Sequence, residues 1–561
     1  MSLPILAVVV LVTLALAYRF YGGFIARQYA LGDKPDTPAH RHNDGVDFVP
    51  TKPFYLFGQH FSAIAAAGPI VGPILACQQF GWLPAILWIG VGVVFIGAVH
   101  DFTTLIASVR HEAMTVAEVV KANLGRRAWL AILAFIWIAL IYVIIAFVDI
   151  TASTFVTGDA DVAGLSFRFN QGGAVAMSSL IYLGLAVVMG LVTQYLKPPL
   201  WLATVIFVPA AFGAVWIGTE LSTVLILGWR TWAILIIGYC FFASLAPLWV
   251  LMQPRGYLGG FVLYAALIVG TLGIFLGGFD IQQPAFRGFT SQGATLFPFL
   301  FVTIACGACS GFHGLVCSGT TSKQIDREKD CHPIGYGAML LEAFVALIAL
   351  ATIMIVAPAA TAGKAPGAVY AMGIGAFLTK LFGMAPIVAM TFGAMALSTF
   401  IFDTIDSATR LGRYILQELV GTRSRASAIV ATLVTCAVPL LFLMLTKAGS
   451  YRQFWTLFGS SNQLLAALSL LAITVWMHRQ GRRTWYTFYP MLGVMAVTIT
   501  SLVLQARQIY QTSIGSTAWI NGVVSVLLLI LASILITDAY RARNLGAPVA
   551  PGAKMPKAKV V

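Results

Sequence analysis

Residues 128–148 read AWLAILAFIWIALIYVIIAFV, a run without one charged side chain. A helix of about 20 such residues crosses the roughly 30 Å hydrocarbon core of a bilayer. Stretches like it recur along the chain, and they restrict the fold more than any other feature. In lipid each backbone group must be satisfied within the bilayer, so apolar segments of this length must be helical. Composition agrees, with 59% hydrophobic residues, 10% charged and a mean hydropathy of +0.89, where a soluble domain carries about 25% charge. The fold class expected is an all-α polytopic membrane protein with the lipid bilayer as its solvent.

About fifteen spans are expected, near 3–20, 56–79, 82–107, 128–150, 174–195, 199–219, 231–252, 257–278, 295–318, 334–357, 384–408, 427–446, 454–477, 486–506 and 517–537. The first, from Leu3, has the length of a signal peptide. No Lys or Arg precedes it and no small-residue cleavage site follows, so it reads as a retained span. Of the 34 Lys and Arg, 26 fall in one set of alternate loops and 8 in the other. Arg255 is counted in the first set. Basic residues favour the cytoplasmic side. The N-terminus is therefore expected outside and the C-terminus in the cytoplasm, in the cell inner membrane. The net charge of +14 becomes a topology signal, which removes the motive for nucleic-acid binding. The seven cysteines lie mostly in or beside spans, so no disulfide framework is implied.

Two spans look interrupted. In the second, Gly68-Pro69 and Gly72-Pro73 fall in mid-membrane, and each Pro removes a backbone donor. In the ninth, Gly307, Gly311, Gly314 and Gly319 with Ser310 and Ser318 replace an aliphatic run, and a break is expected at Gly311–Gly314. Irregular backbone at membrane depth is tolerated only where protein or a wet cavity satisfies it. Spans two and nine are an odd number apart and so run in opposite directions. Five spans from each form an inverted repeat, whose paired breaks mark a substrate site at the midplane. The expected divisions are 1–55, an N-terminal span and loop; 56–219, the first repeat; 220–294, two inserted helices; 295–483, the second repeat; and 484–561, two spans and a tail. The segment 367–382 fits a short helix or re-entrant lid.

Ionisable groups within spans are candidates for function. His60 precedes the first break and can contact substrate, relay protons or pack helices. His100 and Asp101 are adjacent on a helix and diverge by about 100°, which favours an interhelical clamp. Asp149 can read a substrate amine or sit at the outer interface. Glu342 is deep enough to need a partner and is a candidate proton acceptor. Asp403 and Asp406 can take a proton or pair with Arg410 and Arg413. Cys309, His313 and Cys317 resemble a soft ligand set for zinc or copper, although a break there would disperse them. Asn462 and Gln463 suit interhelical hydrogen bonds. No His-Glu-x-x-His or serine-nucleophile motif lies in the spans, so no enzyme is expected.

Five segments carry a family resemblance: Gly58–Ala76 (GQHFSAIAAAGPIVGPILA), Ala98–Phe102 (AVHDF), Cys309–Ile325 (CSGFHGLVCSGTTSKQI), Phe402–Arg410 (FDTIDSATR) and Leu457–Leu465 (LFGSSNQLL). They resemble the signatures of the carbon-starvation protein A (CstA) family. That resemblance implies nutrient uptake during starvation, of pyruvate or of peptides. It also implies the LeuT-like five-plus-five inverted repeat with extra helices. On that fold Ser398 and Thr399 would face the backbone of residues 66–70 and hold sodium. The function expected is secondary transport of a small carboxylate, coupled to H+ or Na+. Alternatives are a peptide or amino-acid importer and, more distantly, a nutrient sensor or channel. A carboxylate would meet positive helix ends near His60, Gly68, Gly72, Ser310, Gly311 and His313, with Asp149 reading an amine. Ser398, Thr399, Asp403 and Glu342 are the ion-coupling candidates. No cofactor beyond the coupling ion is expected, and the oligomeric state is open.

Overall fold

A computed structural model describes residues 2–544 apart from 46, 157, 159–168, 292 and 423. Arg168, Arg423 and the tail lysines that entered the charge count lie outside the described residues. The body is helical: α1 (Leu3–Tyr29), α2 (Pro53–Ile64), α3 (Gly68–Phe80), α4 (Trp82–Arg110), α5 (Arg126–Phe155), α6 (Gln171–Tyr195), α7 (Leu200–Glu220), α8 (Trp229–Leu245) and α9 (Met252–Leu276). There follow α10 (Leu296–Thr303), α11 (Gly311–Gly319), α12 (Glu328–Met354), α13 (Pro366–Phe382), α14 (Pro386–Val420), α15 (Arg425–Leu445), α16 (Tyr451–Arg479), α17 (Trp485–Gln511) and α18 (Thr517–Ala542).

Twelve of these, among the described residues, are long and apolar enough to cross a membrane, and the bent pair α2–α3 makes up to thirteen. The other two expected spans correspond to α8, of 17 residues, and to the split pair α10 and α11. Helices α5, α12, α14 and α16 are enclosed by protein, while α1, α7, α15, α17 and α18 expose most of their apolar surface. That division explains the sequence pattern. The outer helices expose mainly apolar side chains, and the inner ones hold Asp149, Glu342, Asp403, Asp406 and Asn462. The expected lid segment is the helix α13, packed against α14, α9 and α12.

Both breaks lie N-terminal to the places expected. Helix α2 ends at Ile64, and α3 begins at Gly68 after a bend of 44°. Pro69 falls in the first turn of α3, where a missing N–H costs nothing, and Pro73 is accommodated inside that helix. The second break runs over residues 304–310, so Gly311–Gly314 are the first turn of α11. Asn462 explains that shift, because its Oδ1 accepts from the Phe312 N–H at 2.9 Å. The carbonyls freed at the end of α10 are also taken by side chains. Phe301 O accepts from Gln463 Nε2 at 2.9 Å and Trp88 Nε1 at 3.2 Å, and Thr303 O from Trp455 Nε1 at 3.0 Å.

Outside the bundle, the segment after α1 is tied to the loop before α12. Thr37 Oγ1 donates to Ile325 O at 2.5 Å, and His40 Nε2 meets Asp326 Oδ1 at 2.8 Å. Lys329 and Arg327 hold the Asp33 carboxyl below the usual carboxylate range. The charges of these loops are thus largely paired with one another. Arg255 does not belong with them. It lies in α9, is buried, and pairs within the bundle.

Candidate functional site

The two broken helices meet at their breaks. A Cβ on Gly72 would stand 2.7 Å from the Thr303 carbonyl oxygen, and one on Gly68 would overlap the Cys306 side chain. Gly311 lies as close to α16, where a Cβ would stand 2.6 Å from that of Leu465. Ser310 Oγ accepts from Asn462 Nδ2 at 3.0 Å. These positions, expected around a substrate, are occupied here by neighbouring protein. Glycine is required because backbones or short side chains approach within a methyl group's radius.

Beside this seam lies a chain of ionisable groups from four elements. Asp101, on α4, accepts at both oxygens: His100 Nδ1–H donates to Oδ1 at 2.7 Å and His313 Nδ1–H, from α11, to Oδ2 at 2.9 Å. The other nitrogen of His313 stands 3.3 Å from Glu342 Oε2 on α12. His60 on α2 approaches from another side, with Nδ1 2.9 Å from Thr321 Oγ1 and Nε2 4.0 Å from Cys317 Sγ. All five ionisable side chains are buried. Adjacent His100 and Asp101 do serve one point, because the imidazole folds back onto its neighbour. Gly314 makes the space: a Cβ there would stand 3.3 Å from His100 Nε2.

The proton inventory of this chain is constrained. With its Nδ1–H committed to Asp101, a neutral His313 presents a lone pair to Glu342. A lone pair opposite an ionised carboxylate is repulsive, and neither Glu342 oxygen has a hydrogen-bond partner. A proton on Glu342 or a second one on His313 relieves that repulsion.

A second cluster surrounds Arg255. Its Nε and Nη2 both reach Asp403 Oδ1, at 2.8 and 2.6 Å, and its Nη1 reaches Asp406 Oδ2 and, at 2.7 Å, Tyr239 Oη. Tyr239 donates to Asp406 at 2.6 Å. The partner expected for Asp403 and Asp406 was Arg410 or Arg413. Arg410 instead donates to the carbonyls of Ala243 and Ala246 that end α8, at 2.7 and 2.8 Å. Helix periodicity places Arg410 near the acids along α14, but only packing brings Arg255 to them from α9. Its position in the first turn of a helix, where a basic residue reads as a loop anchor, concealed this in the sequence.

Other candidates take different places. Asp149 does not face a substrate amine. Its carboxylate accepts from Trp229 Nε1 at 2.8 Å, Ser153 Oγ at 3.1 Å, and the backbone N–H groups of Gly449 at 3.2 Å and Tyr451 at 2.5 Å. It anchors the start of α16. Ser398 and Thr399 are buried with hydroxyls that have no hydrogen-bond partner, and the Thr399 methyl lies 3.6 Å from where a Gly259 Cβ would be, on the side of α9. Cys309 and Cys317 fall on opposite sides of the α11 start, and His313 spends its nitrogens on carboxylates. Among the described residues no group of three or more His, Cys, Asp or Glu is arranged to hold a metal ion. All seven cysteines are free.

The family pattern described as carbon starvation protein CstA matches residues 2–369 and 356–501. The chain belongs to the CstA family. It is 33% identical to the peptide transporter CstA of Bacillus subtilis, over 94% of this chain and 95% of that one. It is 31% identical to the pyruvate/proton symporter BtsT of Escherichia coli, over 87% and 80%. Among solved structures, the manganese transporter of Eremococcus coleocola aligns over 88% of this chain and 97% of its own, at 15% identity and a TM-score of 0.45. This CstA-family member is a multi-pass membrane transporter of a small molecule and not an enzyme.

Proposed function

We propose that this transporter imports a small carboxylate nutrient, pyruvate foremost, by proton-coupled alternating access during carbon starvation. The observation that carries this reading is the buried chain Glu342–His313–Asp101–His100 beside two broken helices. Imidazole and carboxylate exchange protons readily, whereas the hard-cation alternative needs a cage of oxygen ligands. A relative carrying the name pyruvate/proton symporter supports both cargo and ion. Peptide import is the second reading, favoured by the name of the Bacillus subtilis relative.

Movement would occur at the seam of α2–α3 with α10–α11. Protonation of the Glu342–His313 gap changes the charge held there and so the cost of exposing it to either side. The breaks support a five-plus-five inverted repeat starting at α2 and at α10, with α13 as its lid. The distribution of basic loops supports an outside N-terminus and a cytoplasmic C-terminus in the inner membrane.

The test is uptake into proteoliposomes. Labelled pyruvate should accumulate under an inward proton gradient and not under a sodium gradient alone. Glu342→Gln should retain pyruvate–pyruvate exchange and lose uphill accumulation. Accumulation driven by sodium alone, or a Glu342→Gln protein that concentrates pyruvate like its parent, would defeat proton coupling through this site. Dialanine uptake without pyruvate uptake would replace the first cargo with the second.

A further inference from the structure

The Arg255 cluster contains one permanent cation and two carboxylates, and its members differ in access. Arg255 and Asp406 are fully enclosed, whereas the Asp403 side chain keeps 28% of its surface. Asp403 lies amid buried residues of α14, and its side chain is the more accessible of the two acids on Arg255. Two consecutive glycines of α9 let α14 and α2 pack closely beside it. A Cβ on Gly259 would stand 3.0 Å from Asp403 Oδ2, and one on Gly260 3.9 Å from Ser62 Oγ of the broken helix α2. Ser62, Ala63 and Ala66, next to the first break, are partly or fully exposed.

Asp403 uses the guanidinium poorly. The Nε–Nη2 edge of an arginine matches a carboxylate through two parallel bonds. Here both nitrogens converge on a single oxygen, Asp403 Oδ1. The opposite nitrogen is held by Asp406 and Tyr239, which fix the guanidinium in place. Thr399, one turn along α14 from Asp403, contributes a buried hydroxyl that has no partner. An anchored arginine edge and a partly exposed acid held through one oxygen together suit the exchange of that acid for another carboxylate.

We propose that Arg255 is the substrate-carboxylate-binding residue, and that Asp403 is an internal stand-in which a monocarboxylate, or the C-terminal carboxylate of a small peptide, displaces. This rests on the reading of the transporter as a carboxylate importer and locates its binding group. Asp406 and Tyr239 remain on Nη1 throughout, so the arginine is never left without a counter-charge. A neutral analogue of the same shape cannot make the exchange.

Equilibrium binding to the purified full-length protein in detergent, read by ligand-induced thermal shift, tests this. The probes are pyruvate and dialanine against pyruvamide and dialanine amide. Asp403→Asn removes the charge of the competitor and should tighten carboxylate binding by about tenfold without improving amide binding. Arg255→Lys keeps the charge but loses the two-pronged edge, and should weaken it by about tenfold or more, the equivalent of one charge-assisted hydrogen bond. Unchanged or weaker carboxylate binding by Asp403→Asn overturns the proposal. So does failure of that variant to fold, because the exchange requires that Arg255 tolerate the departure of Asp403. Proton-driven pyruvate accumulation by the parent, with carboxylate affinity indifferent to Asp403→Asn, would remove the site and leave the transport reading standing. Tightening by Asp403→Asn in a protein that accumulates neither compound would do the reverse.

Discussion

Two ionic clusters lie inside this bundle, and they balance charge by different means. Around Arg255 a permanent cation faces Asp403 and Asp406, with Tyr239 bridging. Around Asp101 there is no permanent cation, and two carboxylates are interleaved with imidazoles of His100 and His313. The first cluster cannot change the charge on its central group, so it suits clamping an anion or a helix. The second can gain or lose a proton without moving a helix, so it suits coupling. Both occur where α14 or α4 is enclosed by neighbours, and in both the compensating group comes from a different helix. A buried charge is tolerated when its partner arrives by packing.

The largest expected effect separates the clusters by stability. Arg255→Met leaves the buried Asp406 and the partly buried Asp403 without their cation and should cost about 3–5 kcal/mol. The triple variant Arg255→Met with Asp403→Asn and Asp406→Asn should recover most of that loss in denaturant or thermal unfolding in detergent. A single variant as stable as its parent would mean that those acids are already compensated elsewhere. Next, Asp101→Asn weakens the acceptor shared by His100 and His313 and should cost about 1.5–3 kcal/mol. Hydrogen exchange should rise in α11 and α4 and remain unchanged around Arg255. Spread of the exchange to α9 would show that the two clusters are one network.

The seam between the broken helices offers a sharper probe. Gly72→Ala brings a methyl against the Thr303 carbonyl and should cost about 1–3 kcal/mol through overpacking. Its transport rate should fall while the pyruvate preference is kept. The smallest effect is expected at Asp149, a buried acid outside both clusters. Asp149→Asn weakens the anchoring of α16 by about 1 kcal/mol, as for a lost helix cap. The ratio of pyruvate to dialanine uptake should not change, and a changed ratio would return Asp149 to the substrate site.

Much of the site was legible in residue types. His60, His313 and Glu342 were singled out because an ionisable group in an apolar helix has few other reasons to be there, and all three converge. Glycine clusters located both interrupted spans. Their boundaries were displaced because proline in a first helical turn breaks nothing, and because Asn462 caps α11 one turn earlier than glycine content suggested. Asp149 was read as available because its partners are a distant indole and backbone N–H groups, which leave no mark in a sequence pattern. Arg255 was misplaced for a similar reason. A basic residue between two apolar runs looks like a cytoplasmic anchor until packing encloses it.

The sequence by itself determined the solvent, the helical class, the family and the identity of the ionisable groups. These depend on local composition and on the length of apolar runs, and lipid permits few backbone solutions. Tertiary structure alone decided which group meets which. Asp101 with His313, His313 with Glu342, and Arg255 with Asp403 are long-range pairs whose geometry follows from helix crossing and glycine-mediated approach. Charge interactions in a low-dielectric interior change steeply over a few ångströms, and sequence spacing does not resolve distances that small.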